Sequence, residues 1–186
     1  MLVAGVDVGG TNIEVGLVDE QHKVHHSDKR DTPRSSPRKI ARTIIKLIEG
    51  LGEPPSAIGL GIPGVIHDGR VLEVPNLAGW DDSFDIVGVI EGHFGVPVAL
   101  GNDANVGVLG EWLDGAAVGA DDVLGVWMGT GIGGGLILGG RPFTGSRGAA
   151  GEIGHVITHH GGALCTCGRR GCVEAYAGRR SLFGIV

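Results

Sequence analysis

The segment LVAGVDVGGTNIEVGLVD sets two runs rich in β-branched residues on either side of Gly9-Gly10. That pattern predicts a β-hairpin, with the glycine pair supplying the positive φ angles of its turn. A polar stretch follows. Apolar residues then recur at helical spacing: Ile40, Ile44, Leu47, Ile48 and Leu51. Ser36 is the expected N-cap of this core-facing helix, Pro37 its first residue and Gly52 its end. Ala57–Ile62 reads as a buried strand, and Asp68-Gly69 as the turn of a second hairpin. A short helix at Asp85–Phe94, a strand at Val96–Leu100 and a helix at Asp103–Leu113 come next. Strands at Val123–Met128 and Gly135–Leu138 enclose a second glycine cluster. The remainder is loop-rich up to a helix near Val173–Arg180.

Strands alternating with helices predict an α/β fold. Glycine-centred hairpins at 7–12 and 129–135 open what read as two related halves. The Gly/Ala/Asp-rich stretch 115–121 separates them, giving lobes 1–117 and 118–186.

Composition narrows the function. Glycine fills 37 of 186 positions, close to three times ordinary usage, without a Gly-X-Y period. Backbone must therefore turn tightly or approach something closely at many points. Aromatic residues are 4 %, too few for stacking on bases, and the net charge of −6 comes with no basic stripe. The stretch Lys29–Arg42 is interrupted by Asp31, Pro33 and Pro37 and reads as a solvated face. No nucleic-acid partner is expected.

No basic n-region opens the chain, so no signal peptide is expected. Val123–Gly140 is uncharged, but eight of its eighteen residues are glycine, a poor spanning helix. No membrane partner is expected. Three cysteines confined to 165–172 argue against a disulfide framework and for a metal or a reducing compartment. The expected location is cytoplasmic.

Four constellations carry chemistry. In Asp7-Val8-Gly9-Gly10-Thr11-Asn12, a glycine turn exposes backbone N–H groups suited to a phosphate, with Thr11 and Asn12 adding donors. Asp7 ends a strand and is placed to hold a phosphate-bound Mg²⁺ through water. A Gly-Gly turn alone is also compatible with a plain hairpin. In Gly129-Thr130-Gly131-Ile132-Gly133-Gly134-Gly135, five glycines in seven positions exceed what packing should require, because glycine weakens a strand. The GK[ST] ending of a Walker loop is absent, and a strand follows where a dinucleotide fold needs a helix. Together the turns read as two opposed phosphate clamps. Asp103, in Gly101-Asn102-Asp103-Ala104-Asn105, stands at a helix start as either an N-cap or a general base. Finally, His155 with Cys165, Cys167 and Cys172 has the ligand types and spacing of a tetrahedral zinc site. Four protein ligands leave no position for a catalytic water, so the zinc is read as structural.

The stretches DVGGTN, GIPG at 61–64, PNLAGW at 75–80, GNDANV at 101–106 and GTGIGGGLILGG at 129–140 resemble the ROK family. So do GAAGEIGH at 148–155 and CTCGRRGCVEAYAG at 165–178. They stand in family order from Val3 to Arg180. The family comprises sugar kinases and sugar-responsive repressors of actin-like, hexokinase-like (ribonuclease H-like) fold. The resemblance implies a glucokinase-like enzyme using ATP and Mg²⁺, with Asp103 as catalytic base toward the O6 hydroxyl of a hexose. It implies sugar contacts from Gly64, Asn76, Asn102, Asp103, Glu152, His155 and Glu174. Phosphate contacts fall to Gly9, Gly10, Thr11 and Asn12, with Asp7, and to Thr130, Gly131 and Gly133. One ring nitrogen of His155 would bind zinc while the other faces the sugar, so that zinc orients a substrate loop.

Glu152-Ile153-Gly154-His155 is similar to kinases for glucose, N-acetylglucosamine and N-acetylmannosamine alike; glucose is the reading taken. Family members continue well past the GCVEAYAG helix. The expectation is therefore a complete first lobe, a partial second lobe without the adenosine pocket, weak hexose binding with little phosphorylation, and self-association into a homo-oligomer. The alternatives are a sugar-sensing repressor, for which no room precedes residue 7, and an inactive sugar-binding fragment.

Overall fold

The computed structural model describes residues 1–74, 80 and 84–184. The chain divides into two compact units, Met1–Asp103 and Ala104–Val186.

The first unit is built on a five-stranded sheet. Strands β1 (Val3–Val8) and β2 (Asn12–Val18) form the predicted hairpin, with Val8 paired to Ile13 across the glycine turn. Strand β3 (Val24–Asp31) adds antiparallel to β2, while β4 (Ala57–Ile62) and then β7 (Val98–Asn102) add parallel on the other side of β1. The sheet order is β3-β2-β1-β4-β7. Strands β5 (Val65–His67) and β6 (Arg70–Glu73) make a separate hairpin, turned by Asp68 and Gly69 at φ 49° and 71°.

Alternation decides which side of the sheet is core. Ala4, Val6 and Val8 of β1, Ile13, Val15 and Leu17 of β2, and Ile58, Leu60 and Ile62 of β4 are all buried. They form one core with helix α1 (Pro37–Gly50), through Ile40, Ile44, Leu47 and Ile48, and with helix α2 (Ile86–Phe94), through Ile86 and Ile90. Ser36 caps α1 through the Lys39 N–H as expected, and Gly52 follows it at φ 85°. Asp85 caps α2, and left-handed Gly95 ends it.

The opposite face is nearly bare. Gly16, Gly5, Gly59 and Ala99 stand in register across four strands. One step along, Glu14, Asp7, Gly61 and Gly101 form the next row. Much of the glycine excess therefore strips side chains from one face of a sheet and places Asp7 upon it.

Strand β3 corrects the reading of its region as mere polar connection. All eight of its side chains are exposed, so it carries no hydrophobic signal. It is held to β2 by backbone pairing at the sheet edge, and its charged, polar side chains suit an unprotected edge.

In the second unit, helix α3 (starting at Asp103 and ending at Asp114) precedes the hairpin of β8 (Val123–Met128) and β9 (Ile132–Ile137). Strand β9 begins three residues before the expected start, which places Gly133, Gly134 and Gly135 inside a strand. These glycines have a packing reason after all. A Cβ on Gly135 would lie 2.6 Å from Val108 Cγ1 and 2.9 Å from the Ala104 carbonyl. On Gly134 it would meet the Gly151 carbonyl and Ile153, and on Gly133 it would crowd Ala104. Because the Gly135 neighbours include helix backbone, they cannot swing away. Gly135→Ala is expected to cost about 1–3 kcal/mol as an overpacked site, read as a lowered denaturation midpoint with an unchanged slope.

Helix packing also explains where the units part. Val108 of α3 sits against Gly125 and Gly135, so the helix belongs with β8 and β9 and the division falls ahead of residues 115–121. The single C-terminal helix expected at 173–180 is two short ones, α4 (Glu174–Ala177) and α5 (Arg179–Leu182). Gly178 is extended at ψ 149°, and the Arg179 N–H leaves the helical ladder to bond the Gly129 carbonyl at 3.1 Å.

Candidate functional site

Each unit carries a cluster, and each is described within its own unit. In the first, the turn Gly9–Asn12 is closed by the Gly9 N–H donating to the Asn12 carbonyl at 2.9 Å. A Cβ on Gly9 would lie 3.1 Å from that same carbonyl, so the tight closure calls for glycine. Among the described residues no hydrogen bond engages the N–H of Gly10 or Thr11. Backbone donors left without a partner in a tight glycine turn are what a phosphate-binding nest requires.

Asp7, the last residue but one of β1, lies on the bare face near this turn. Burial raises its pKa, and the carboxylates of Asp103 and Glu14 raise it further. Asn102 ends β7, and Asp103 opens α3 directly after it. The Asn102 side-chain amide donates to the Gly64 carbonyl at 3.0 Å, joining two of the expected sugar contacts. Gly64 holds φ 111°, a conformation that disfavours any side chain there. Asn76 lies outside the described residues.

In the second unit the turn is Gly129–Gly131. The Gly129 N–H donates to the Gly131 carbonyl at 2.9 Å, and no hydrogen bond engages the N–H of Thr130 or Gly131 among the described residues. The next donor, the Ile132 N–H, is taken by Glu174 Oε2 at 2.8 Å. A Cβ on Gly131 would collide with the same carboxylate, which accounts for glycine at that position. Gly133 sits one step further on, paired with Trp127 inside β9.

The zinc ligands predicted from spacing come together. The donor atoms of His155, Cys165, Cys167 and Cys172 lie within 4.8 Å of one another. His155 Nδ1 is 3.6 Å from Cys165 Sγ, and the sulfurs of Cys167 and Cys172 are 3.7 Å apart. A tetrahedron with ~2.3 Å metal–sulfur bonds has edges of about 3.8 Å, so the set fits zinc. Local backbone builds it. Cys165–Gly168 is a tight turn, with the Gly168 N–H donating to the Cys165 carbonyl at 3.0 Å and Gly168 at φ 83°. The bridge from Ile157 to Cys172 brings the third cysteine back. Burial pushes the Cys172 thiol up to about 11. Burial opposes ionisation of Cys167 as well, but hydrogen bonds from Arg169 bring it down to about 6. Three thiolates this close need a dication to coexist.

His155 presents its two nitrogens in different directions. Nδ1 faces the sulfur cluster, and Nε2 lies 3.9 Å from Glu152 Oε2. Glu152 is 45 % exposed and His155 23 %, so the carboxylate is the more accessible of the two. Glu174 has a role that sequence did not disclose. Besides the Ile132 N–H, it accepts from Thr166 Oγ1 at 2.9 Å, tying the cysteine loop to the glycine turn. Thr32 was also missed, because it follows a strand with no buried side chain to mark the register. Among the described residues of the first unit it is the buried polar one, at 6 % exposure.

The ROK family profile matches residues 3–184. The chain belongs to the ROK family. It is 40 % identical over 180 residues to a glucokinase of Thermotoga maritima, covering 93 % of this chain and 56 % of that protein. Among solved structures, a ROK family glucokinase from Streptomyces griseus in complex with glucose and AMPPNP superposes at TM-score 0.88. It is 38 % identical and matches 98 % of this chain and 59 % of its own. A ROK hexokinase from Thermus thermophilus gives TM-score 0.84 at 40 % identity, covering 98 % and 62 %. The fold is thus the actin-like, hexokinase-like α/β architecture, and the chain spans somewhat over half the length of these relatives. At 23 % identity a ROK family transcriptional regulator shares the fold as well, with TM-score 0.86.

Proposed function

We propose that this chain supplies the phosphate-binding turns and sugar-binding residues of an ATP-dependent hexose kinase. Such an enzyme transfers the γ-phosphoryl of Mg-ATP to the O6 hydroxyl of a hexose, with glucose as the first candidate. The observation that carries this reading is the pair of glycine turns whose N–H groups at Gly10, Thr11, Thr130 and Gly131 are uncommitted among the described residues. It is strengthened by the carboxylate of Asp103 at the junction of β7 and α3. Phosphoryl transfer rests on positioning and charge stabilisation, and these are the parts it requires.

In this proposal Asp103 accepts the proton of the attacking hydroxyl. Asn102, braced on Gly64, together with Glu152, His155 and Glu174, hydrogen-bonds the sugar hydroxyls. Gly9–Asn12 and Thr130–Gly133 hold phosphate oxygens. Asp7 would hold Mg²⁺ through water, and the ion would neutralise phosphate charge. His155, Cys165, Cys167 and Cys172 would hold zinc, which fixes the loop that carries His155 and leaves no open coordination position. Asp103 together with both phosphate turns favours catalysis over the sugar-sensing regulator reading, which has no use for a base.

A coupled ATP-dependent assay over glucose, N-acetylglucosamine, N-acetylmannosamine and mannose tests the reading. It is run on this chain and on a form extended to the length of its relatives. The expected result is phosphorylation of glucose by the extended form. Hexose binding by that form without phosphorylation of any sugar would transfer the chain to the regulator class.

A further inference from the structure

We propose that Thr32 is the positioning residue that aims the Gly10 N–H at phosphate, by fixing the orientation of the Gly9–Gly10 peptide. The inference rests on the reading of Gly9–Asn12 as a phosphate-binding turn. Thr32 follows β3, twenty-three residues from Gly9, and is bonded to the turn twice. Its hydroxyl donates to the Gly9 carbonyl at 2.6 Å, and its own N–H donates to the Thr11 carbonyl at 2.8 Å. The residue is 6 % exposed, so a hydroxyl there must find a partner within the protein.

The consequence follows from peptide geometry. Among the described residues no peptide bond is cis, and in a planar trans peptide the carbonyl and the following N–H point in opposite directions. With the Gly9 oxygen held down by the Thr32 hydroxyl, the Gly10 N–H is turned away from Thr32 and outward. A peptide between two glycines has little steric resistance to rotation, since both flanking residues tolerate positive and negative φ. A flip would present the carbonyl oxygen to the ligand and repel an anion. The glycine pair lets backbone approach a phosphate closely, and Thr32 removes the ambiguity that comes with it.

The test uses the 186-residue chain with inorganic pyrophosphate as probe, followed at the Gly10 amide by ¹⁵N–¹H NMR. The wild type should give a saturable shift of that amide. Thr32→Val keeps the shape but puts a methyl against the Gly9 oxygen, and should bind about tenfold more weakly, the worth of one hydrogen bond. Thr32→Ser restores the hydroxyl and should return affinity to within twofold of wild type, a rescue that a merely space-filling role would not give. Should the valine variant melt early, Thr32→Ala makes the same test without the methyl. Equal pyrophosphate affinity in wild type and Thr32→Val, both folded, would overturn the proposal. Absence of any Gly10 response in the wild type would instead overturn the phosphate reading of the turn, and the proposal with it.

Discussion

Asp103→Asn is expected to lower turnover of a kinase-active form at least ~10²-fold, the ordinary worth of a positioned general base. The amide has nearly the shape of the carboxylate and still offers an oxygen to a sugar hydroxyl, so hexose affinity should move only a few-fold. What it cannot do is accept a proton. The surroundings argue that the charge, more than the hydrogen bond, is what the position supplies. Asp103 raises the pKa of Asp7, itself already raised by burial, and Glu14 adds to the same repulsion. A residue serving only to begin α3 could be an asparagine, which caps helices as well as aspartate and would relieve that repulsion. Single-turnover measurements together with hexose titration separate the two roles. Retained turnover in Asp103→Asn would reduce the residue to the first position of a helix.

The same residues show why some of the molecule was legible in sequence and some was not. Buried, strongly periodic elements announced themselves: α1 through Ser36, Pro37 and its isoleucine stripe, and β1 with β2 through β-branched runs. The metal cluster was legible because thiol and imidazole are chemically unmistakable, even where seventeen positions separate His155 from Cys172. Strand β3 carried no such mark, since an edge strand with eight solvated side chains differs from loop only in its backbone partners. Thr32 inherited that silence. The glycines of β9 misled for another reason. Their cause lies in Val108, Ala104 and Gly151, between 17 and 31 residues away, and a sequence shows a missing side chain without showing what occupies its place. Glu174 is an intermediate case: its motif was visible, while its bond to the Ile132 N–H depends on how α4 comes back against the turn.

Removal of zinc is expected to be the most disruptive change to the second unit. Purified protein should contain about one equivalent of zinc per chain by elemental analysis, held by His155, Cys165, Cys167 and Cys172. Zinc binding in small folds is folding free energy, on the order of 10 kcal/mol or more for peptides with this kind of ligand set. The segment around the cluster has few alternatives. Cys165 and Cys172 are its buried anchors, while Val156, Ile157 and Leu164 nearby are about half or more exposed and contribute little core. Chelation, or Cys167→Ser, should therefore raise amide exchange throughout 155–175. The loss should not stop at that loop. Thr166 holds one oxygen of Glu174, and the other holds the Ile132 N–H, so a disordered loop releases the end of the Gly129–Gly131 turn. Exchange at Ile132 should rise with it, whereas Ile44 and Leu60, in the separate core of the first unit, should keep their protection. Glu174→Ala provides the internal control. It removes the acceptor of both bonds, so it should loosen Ile132 while leaving zinc bound. Metal-free protein with unchanged protection across 155–175 would show that backbone hydrogen bonds alone hold the loop, and the cysteines would then need another explanation.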